Sequence, residues 1–172
     1  MEAQFVLALD QGTTNTKAIL LDHNGQVVRQ ASRALSVTYP QPAWVEQDPL
    51  AIWASVREVI DEIFDSEAAA ATSALAAIGV SNQRESVVLW ERATGAPVGP
   101  CVIWQCQRGA ALCQALRTPE SEALVHARTG LTLDAMFSAS KMRWLLDQAP
   151  DGHSRAAAAS VQARRRAAPR HC

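Results

Sequence analysis

The sequence predicts an α/β fold, a mixed sheet with flanking helices, and three observations predict it. Residues 5–37 hold three strand-like runs separated by turn residues. An amphipathic helix with a clear start signal follows at Asp48. After several more short strands, the pattern turns helical from Arg108. Three strands in a row, then a helix, then further strands is a mixed order without strict β-α-β alternation. With 172 residues, 48% hydrophobic and 19% charged, the chain is long enough for one domain with a sizeable core.

The first two strands are Phe5–Leu9 and Lys17–Leu21. Between them lies Asp10-Gln11-Gly12-Thr13-Thr14-Asn15-Thr16-Lys17, which is poor core material but suits a tight turn whose N–H groups and hydroxyls face an anion. Asp10, ending an apolar strand, is costly there unless it is hydrogen-bonded, paired or on a metal. Magnesium, which takes hard oxygen ligands and keeps water, fits a lone carboxylate beside a phosphate. The loop is not a Walker A sequence, since the chain has no GxxxxGK[ST]. A ligand-free hairpin turn, with Lys17 merely solvated, explains the same pattern.

Asp22-His23-Asn24-Gly25 reads as a hairpin turn with Asn-Gly at positive φ, leading to a third strand over Gln26–Val37. Tyr39-Pro40-Gln41-Pro42 ends it. Asp48 as N-cap and Pro49 at the first helical position open a helix whose apolar stripe is Ile52, Val56, Val59, Ile60 and Ile63, with Arg57, Asp61 and Glu62 in solvent. Ala68–Ala77 extends a helix or connects. Ala77–Ser81 reads as a short buried strand, Ser86–Trp90 and Cys101–Trp104 as two more, joined through the turn at Ala93–Pro97. Helices are expected over Ala110–Leu116, Glu120–Ala127 and from Ser138, which would cap a segment striped by Met142, Leu145 and Leu146.

Two further clusters are candidates for chemistry. Asn82-Gln83-Arg84-Glu85 follows a strand, where open α/β sheets place ligand-binding residues. Arg84 and Glu85 together offer a donor fork and an acceptor suited to neighbouring hydroxyls, or they form a surface ion pair. Trp104, beside Gln105 and Gln107, is either a wall for the C–H face of a carbohydrate or a core residue.

No apolar run approaches the ~20 residues of a membrane span. The N-terminus, Met1-Glu2-Ala3-Gln4, does not read as a signal peptide, so a cytoplasmic location with no membrane partner is expected. Cys101, Cys106, Cys113 and Cys172 show no zinc-ligand spacing and are expected as reduced thiols. The net charge of −1 hides an asymmetry: all acids precede residue 153, while residues 153–172 hold five arginines and seven alanines but no Leu, Ile, Phe or Trp. That tail cannot bury enough to fold alone. It is set apart here from a domain at residues 1–152, as a disordered segment or the product of a frameshift in a GC-rich reading frame. Arginines without aromatics predict at most salt-sensitive polyanion binding and no specific nucleic acid.

Several motifs, in order from Phe5 to Asp151, resemble the FGGY carbohydrate kinases, and their glycerol-kinase-like members most. These are Ala8–Thr14, Tyr39–Pro42 with Trp44–Pro49, Ile78–Glu85, Trp104–Cys106, and Phe137–Lys141 before Trp144–Asp147. The resemblance implies an actin-like, ribonuclease-H-like ATPase domain, here incomplete, that works with MgATP (ATP and Mg2+) on a sugar or polyol hydroxyl. By position it implies Asp10 on the magnesium; Gly12, Thr13, Thr14, Asn15 and Lys17 on the phosphates; and Arg84, Glu85 and Trp104 on the substrate. Met136 stands where the glycerol-kinase-like members place a substrate-facing tyrosine, which argues for another polyol or sugar. The family's catalytic base, adenosine site and second domain are implied to lie outside this sequence. The chain is therefore expected to be inactive alone, active only if completed by a partner chain, or, as a non-enzyme, a polyanion binder through its arginine tail.

Overall fold

The computed structural model describes residues 4–65 and 73–149, together with the backbone of Ala159–Val161. Strands β1 (Phe5–Gln11), β2 (Asn15–Leu21) and β3 (Val27–Ala34) form an antiparallel meander, and β5 (Leu75–Asn82) joins it parallel to β1, giving the order β3-β2-β1-β5. The register sets Leu7 against Leu20 and Leu9 against Ala18. Strand alternation therefore puts these four side chains on one face, and all four are buried.

The two-residue strand β4 (Glu46–Gln47) leads into helix α1 (Pro49–Ile63), the crossover before β5. As expected, Asp48 caps α1 by accepting from the Leu50 N–H, and Pro49 occupies the first turn. Val59 and Ile63 close over Leu7, Leu9, Leu20 and Ala31, with Val56, Ile60 and Phe64 at the margin. Buried Ser55 breaks the apolar stripe without harm: its hydroxyl donates to the Ile52 carbonyl at 2.7 Å and pairs with the buried Thr16 hydroxyl at 2.7 Å.

Three local expectations change. In the Asp22–Gly25 turn only Gly25 is left-handed (φ 77°). The Asp22 carboxylate accepts from the N–H groups of Asn24 and Gln26, which holds its pKa below the usual value and fixes the bend without an Asn at positive φ. The third strand is shorter than Gln26–Val37, because pairing with β2 ends at Ala34 opposite Asn15. The strand at Ala77–Ser81 is not buried: Ile78 is 59% and Val80 68% exposed. β5 stands at the sheet's edge, and α1 packs over β2 and β3 rather than over it.

The backbone divides into two compact units, Met1–Thr38 with Gln47–Gln83, and Tyr39–Glu46 with Arg84–Cys172. The second contains β6 (Leu89–Glu91), β7 (Cys101–Val102), α2 (Ala110–Ala115), α3 (Pro119–Thr129), α4 (Ser138–Gln148) and β8 (Ala159–Val161), which runs antiparallel to β6. The expected strand at Ser86–Trp90 shortens to β6 plus a bridge in which Val87 and Val102 exchange backbone hydrogen bonds at 2.9 Å. Thr118 and Ser121 form a capping box on α3, and Gly130 closes it in the left-handed conformation.

Ser138 does not cap α4. Phe137 holds the N-cap position, and the Ser138 hydroxyl donates to Glu85 instead. At the start of α2, a Cβ on Gly109 would stand 2.3 Å from the Ser140 hydroxyl oxygen, so only glycine allows this approach of α2 to α4. The buried Arg108 guanidinium lies 4.3 Å from the ring centroid of Trp44 and 4.4 Å from that of Trp144, and pairs with Glu46 at 2.6 Å. Cys101, Cys106 and Cys113 are buried free thiols, with burial pushing Cys101 up to about 12. Residues 68–72 of the Ala68–Ala77 stretch, and all of 153–172, Cys172 included, except the three β8 residues, lie outside the described residues, while Leu75–Ala77 begin β5.

Candidate functional site

The turn between β1 and β2 is tied down from several sides. The Gly12 N–H donates to the Asn15 carbonyl at 2.9 Å, and the Gln11 amide donates to the Gly12 carbonyl at 2.7 Å. A Cβ on Gly12 would meet that Asn15 oxygen at 3.0 Å, so the turn closes tightly only with glycine. Thr13 and Thr14 occupy its tip. The Asn15 amide donates to the Thr14 hydroxyl at 3.2 Å, and the Thr14 carbonyl accepts from the Leu35 N–H at 2.8 Å.

Beneath the tip is a brace that sequence reasoning missed. Gln47, only 2% exposed, donates its amide to the Thr13 carbonyl at 2.8 Å and to the Ser36 carbonyl at 3.3 Å. Its own oxygen accepts from the Gln83 amide at 3.0 Å, while the Gln83 N–H donates to the Gln11 carbonyl at 2.7 Å. The one available signal was that a glutamine directly before a helix cap, and another directly after a strand, are both polar groups at positions that pack. With Gln47 and Gln83 holding its carbonyls from behind, the turn's conformation is set before any ligand arrives.

Asp10 and Lys17 are directly opposite in the β1–β2 register, both exposed, on the face away from the α1 core. Asp10 meets the cost expected of an acid ending an apolar strand in another way: strand alternation turns it out to water. It makes no hydrogen bond or ion pair among the described residues. No cluster of three or more His, Cys, Asp or Glu suited to a metal occurs among the described residues either. A free carboxylate beside backbone and hydroxyl donors fits Mg²⁺ held through one protein ligand, water and phosphate, rather than in a protein cage.

The second unit gathers the other candidates. Glu85 adopts φ 64°, a left-handed conformation that is strained for a residue with a Cβ. Its carboxylate accepts from the Ser138 hydroxyl at 3.1 Å, tying it to the first turn of α4. The Trp104 N–H donates to the Ser86 hydroxyl at 3.2 Å, which sets Trp104 beside the residue after Glu85. Met136 lies two residues before Ser138, with its N–H donating to the Asp134 carboxylate at 2.7 Å. Trp104 is 39% and Met136 37% exposed, so each presents apolar surface to solvent rather than filling a core. Arg84, next to Glu85, is exposed. The Ser138 hydroxyl thus reaches Glu85 and the Ser86 hydroxyl reaches Trp104, while the Gly12–Asn15 turn belongs to the first unit.

The family model described as "FGGY family of carbohydrate kinases, N-terminal domain" matches residues 5–163, continuing past Gly152. The glycerol kinase of Shewanella oneidensis is 44% identical over 156 residues, covering 91% of this chain and 31% of that protein. Among solved structures, Plasmodium falciparum glycerol kinase with ADP superposes with a TM-score of 0.82 at 24% identity, covering 93% of this chain and 32% of that one. A xylulose kinase from Rhodospirillum rubrum gives 0.75 at 30% identity, over 88% and 31%. The chain therefore spans about a third of the length of the curated relatives it matches. The actin-like, ribonuclease-H-like fold expected from the sequence holds for the part present. A braced Gly-Thr-Thr hairpin beginning a 3-2-1-5 sheet, together with this match over nearly its whole length, makes the chain a member of the FGGY family of carbohydrate kinases, matching their N-terminal domain.

Proposed function

We propose that this chain supplies the N-terminal part of a kinase that transfers the γ-phosphoryl group of MgATP to a hydroxyl of a sugar or polyol. The Gly12–Asn15 turn would hold the phosphates, with Lys17 adding positive charge and Asp10 reaching the magnesium. Arg84, Glu85, Trp104 and Met136 would form the substrate wall. The observation that carries this reading is the pre-set Gly12–Asn15 turn with an unpaired carboxylate and a lysine paired across the strands beside it. Bound Mg²⁺ would neutralise phosphate charge, and the chain's own groups would orient the reactants, the main demand of phosphoryl transfer. Met136 has no hydroxyl to offer, which favours a substrate other than glycerol.

No residue here is assigned as the base that takes the hydroxyl proton. We expect the chain alone to turn over nothing and to bind MgATP weakly or undetectably by calorimetry. ADP release would be measured with glycerol, xylulose and erythritol, with the chain alone and after adding a polypeptide that carries the remainder of an FGGY kinase. Activity restored by that addition, and reduced by Asp10→Asn, supports the reading. Restored activity that is indifferent to Asp10→Asn and Glu85→Gln would overturn the site assignment.

A further inference from the structure

Lys141 is a fully buried residue, backbone and side chain together, among the described residues. It lies in the first turn of α4, and its ammonium donates to three successive carbonyls, those of Ala135 (2.7 Å), Met136 and Phe137 (3.2 Å). This uses all three donors of a lysine on one short stretch of chain. Burying an ammonium is unfavourable by itself, and an apolar side chain of similar length would fill the same volume without that penalty. What only the side-chain nitrogen supplies, whether as ammonium or as amine, is a hydrogen-bonded path for residues 135–137. That stretch carries Met136 and leads directly to Ser138, whose hydroxyl holds the strained Glu85.

We propose that Lys141 is a positioning residue, a clamp that draws the 135–137 carbonyls around its Nζ and so sets Met136 and, through Ser138, Glu85 on the substrate wall. The substrate-facing role of Met136 and Glu85 rests on the function proposed above; the clamp itself rests only on this geometry. The surroundings give it a pH signature. Burial pushes Lys141 down to about 8, partly opposed by the nearby Cys106, Glu85, Asp134 and Cys113. If the segment opens to water, the amine regains its ordinary value of 10.5. Between these two values the open form binds more protons than the closed one. Closure is therefore weakest below about 8 and strengthens as pH rises through that window.

Hydrogen–deuterium exchange of the full chain, read by mass spectrometry and corrected for intrinsic rates, tests this. Residues 134–138 are compared with residues 87–103 of the same unit at pH 7, 8 and 9. In the wild type, protection of 134–138 should rise by up to about tenfold from pH 8 to 9, with no such rise in 87–103. In Lys141→Leu the protection of 134–138 should fall at every pH and the rise should vanish, with 87–103 unchanged. Lys141→Arg should not restore it, because a planar fork cannot gather three consecutive carbonyls.

A flat wild-type profile would overturn the proposal, and that arm needs no variant to fold. So would a pH step that survives in Lys141→Leu, which would belong to Cys106 or Cys113. Equal loss of protection in both segments of Lys141→Leu would reduce Lys141 to a general structural role. None of these readouts involves phosphoryl transfer, so they stand apart from the fate of the proposed function.

Discussion

A methyl group on Gly109 would collide with the Ser140 side chain at 2.3 Å, and Ser140 belongs to α4, the helix that carries Lys141 and contacts Glu85. Gly109→Ala should therefore push α4 away or force a rotamer change, destabilising the protein by about 1–3 kcal/mol in a denaturant melt. Arg108 is a second residue on which the unit depends. Its side chain has no exposed surface, and its partner Glu46 keeps 19% exposure. Removing the guanidinium would take away the ion pair to Glu46 and empty the space against Trp44 and Trp144. Arg108→Leu should cost about 3 kcal/mol, near the lower end for breaking a buried pair because Glu46 still reaches water. Tryptophan fluorescence followed through the melt would report both the loss of stability and the altered ring environment.

At the scale of the element, α1 shows what short-range chemistry achieves. The Asp48 carboxylate accepts from the Leu50 N–H at 2.9 Å, and Asp48→Ala should lower stability by about 1 kcal/mol, measured by thermal or urea unfolding. The cap, the proline after it and the Val56–Ile63 stripe were all legible because each involves residues within about two turns. β5 was not legible in the same way. Ala77–Ser81 is apolar enough to be read as buried, yet exposure depends on what lies over a strand, and α1 lies over β2 and β3. The candidate site divides along the same line. Asp10, Gly12, Thr13 and Thr14 stood out as a run. Gln47 became a site residue only through a bond to Thr13, 34 positions away in sequence, and through a second glutamine at position 83.

For the whole molecule, the exposed Ile78 and Val80 share a face with the buried Leu7 and Leu9, on a strand with no residue of either charge. An uncharged, apolar sheet edge is a site of association between chains. The chain should bind a hydrophobic dye and associate at micromolar concentration. Ile78→Lys with Val80→Thr should reduce both effects in dye titration and light scattering. A wild-type chain that runs as a dye-silent monomer with a cooperative melt would refute this. The reading of residues 153–172 as frame-shifted remains a proposal about the coding sequence. It is checked by sequencing the DNA across codons 145–175 and translating every frame, and it fails if no frame resumes a kinase-like strand.

By itself, the sequence determined the chain's family resemblance, the order of its main strands and helices, and the Gly-Thr-Thr turn between its first two strands. Those depend on local propensity, on alternation and on runs of chemically distinctive residues. Only the tertiary structure decided that Asp10 points to solvent and that Gln47 and Gln83 brace the turn. It also decided that Ser138 serves Glu85 instead of capping α4, and that Lys141 is buried under three carbonyls. Each of these depends on which polar groups meet after the chain has folded, which spacing along the chain does not encode.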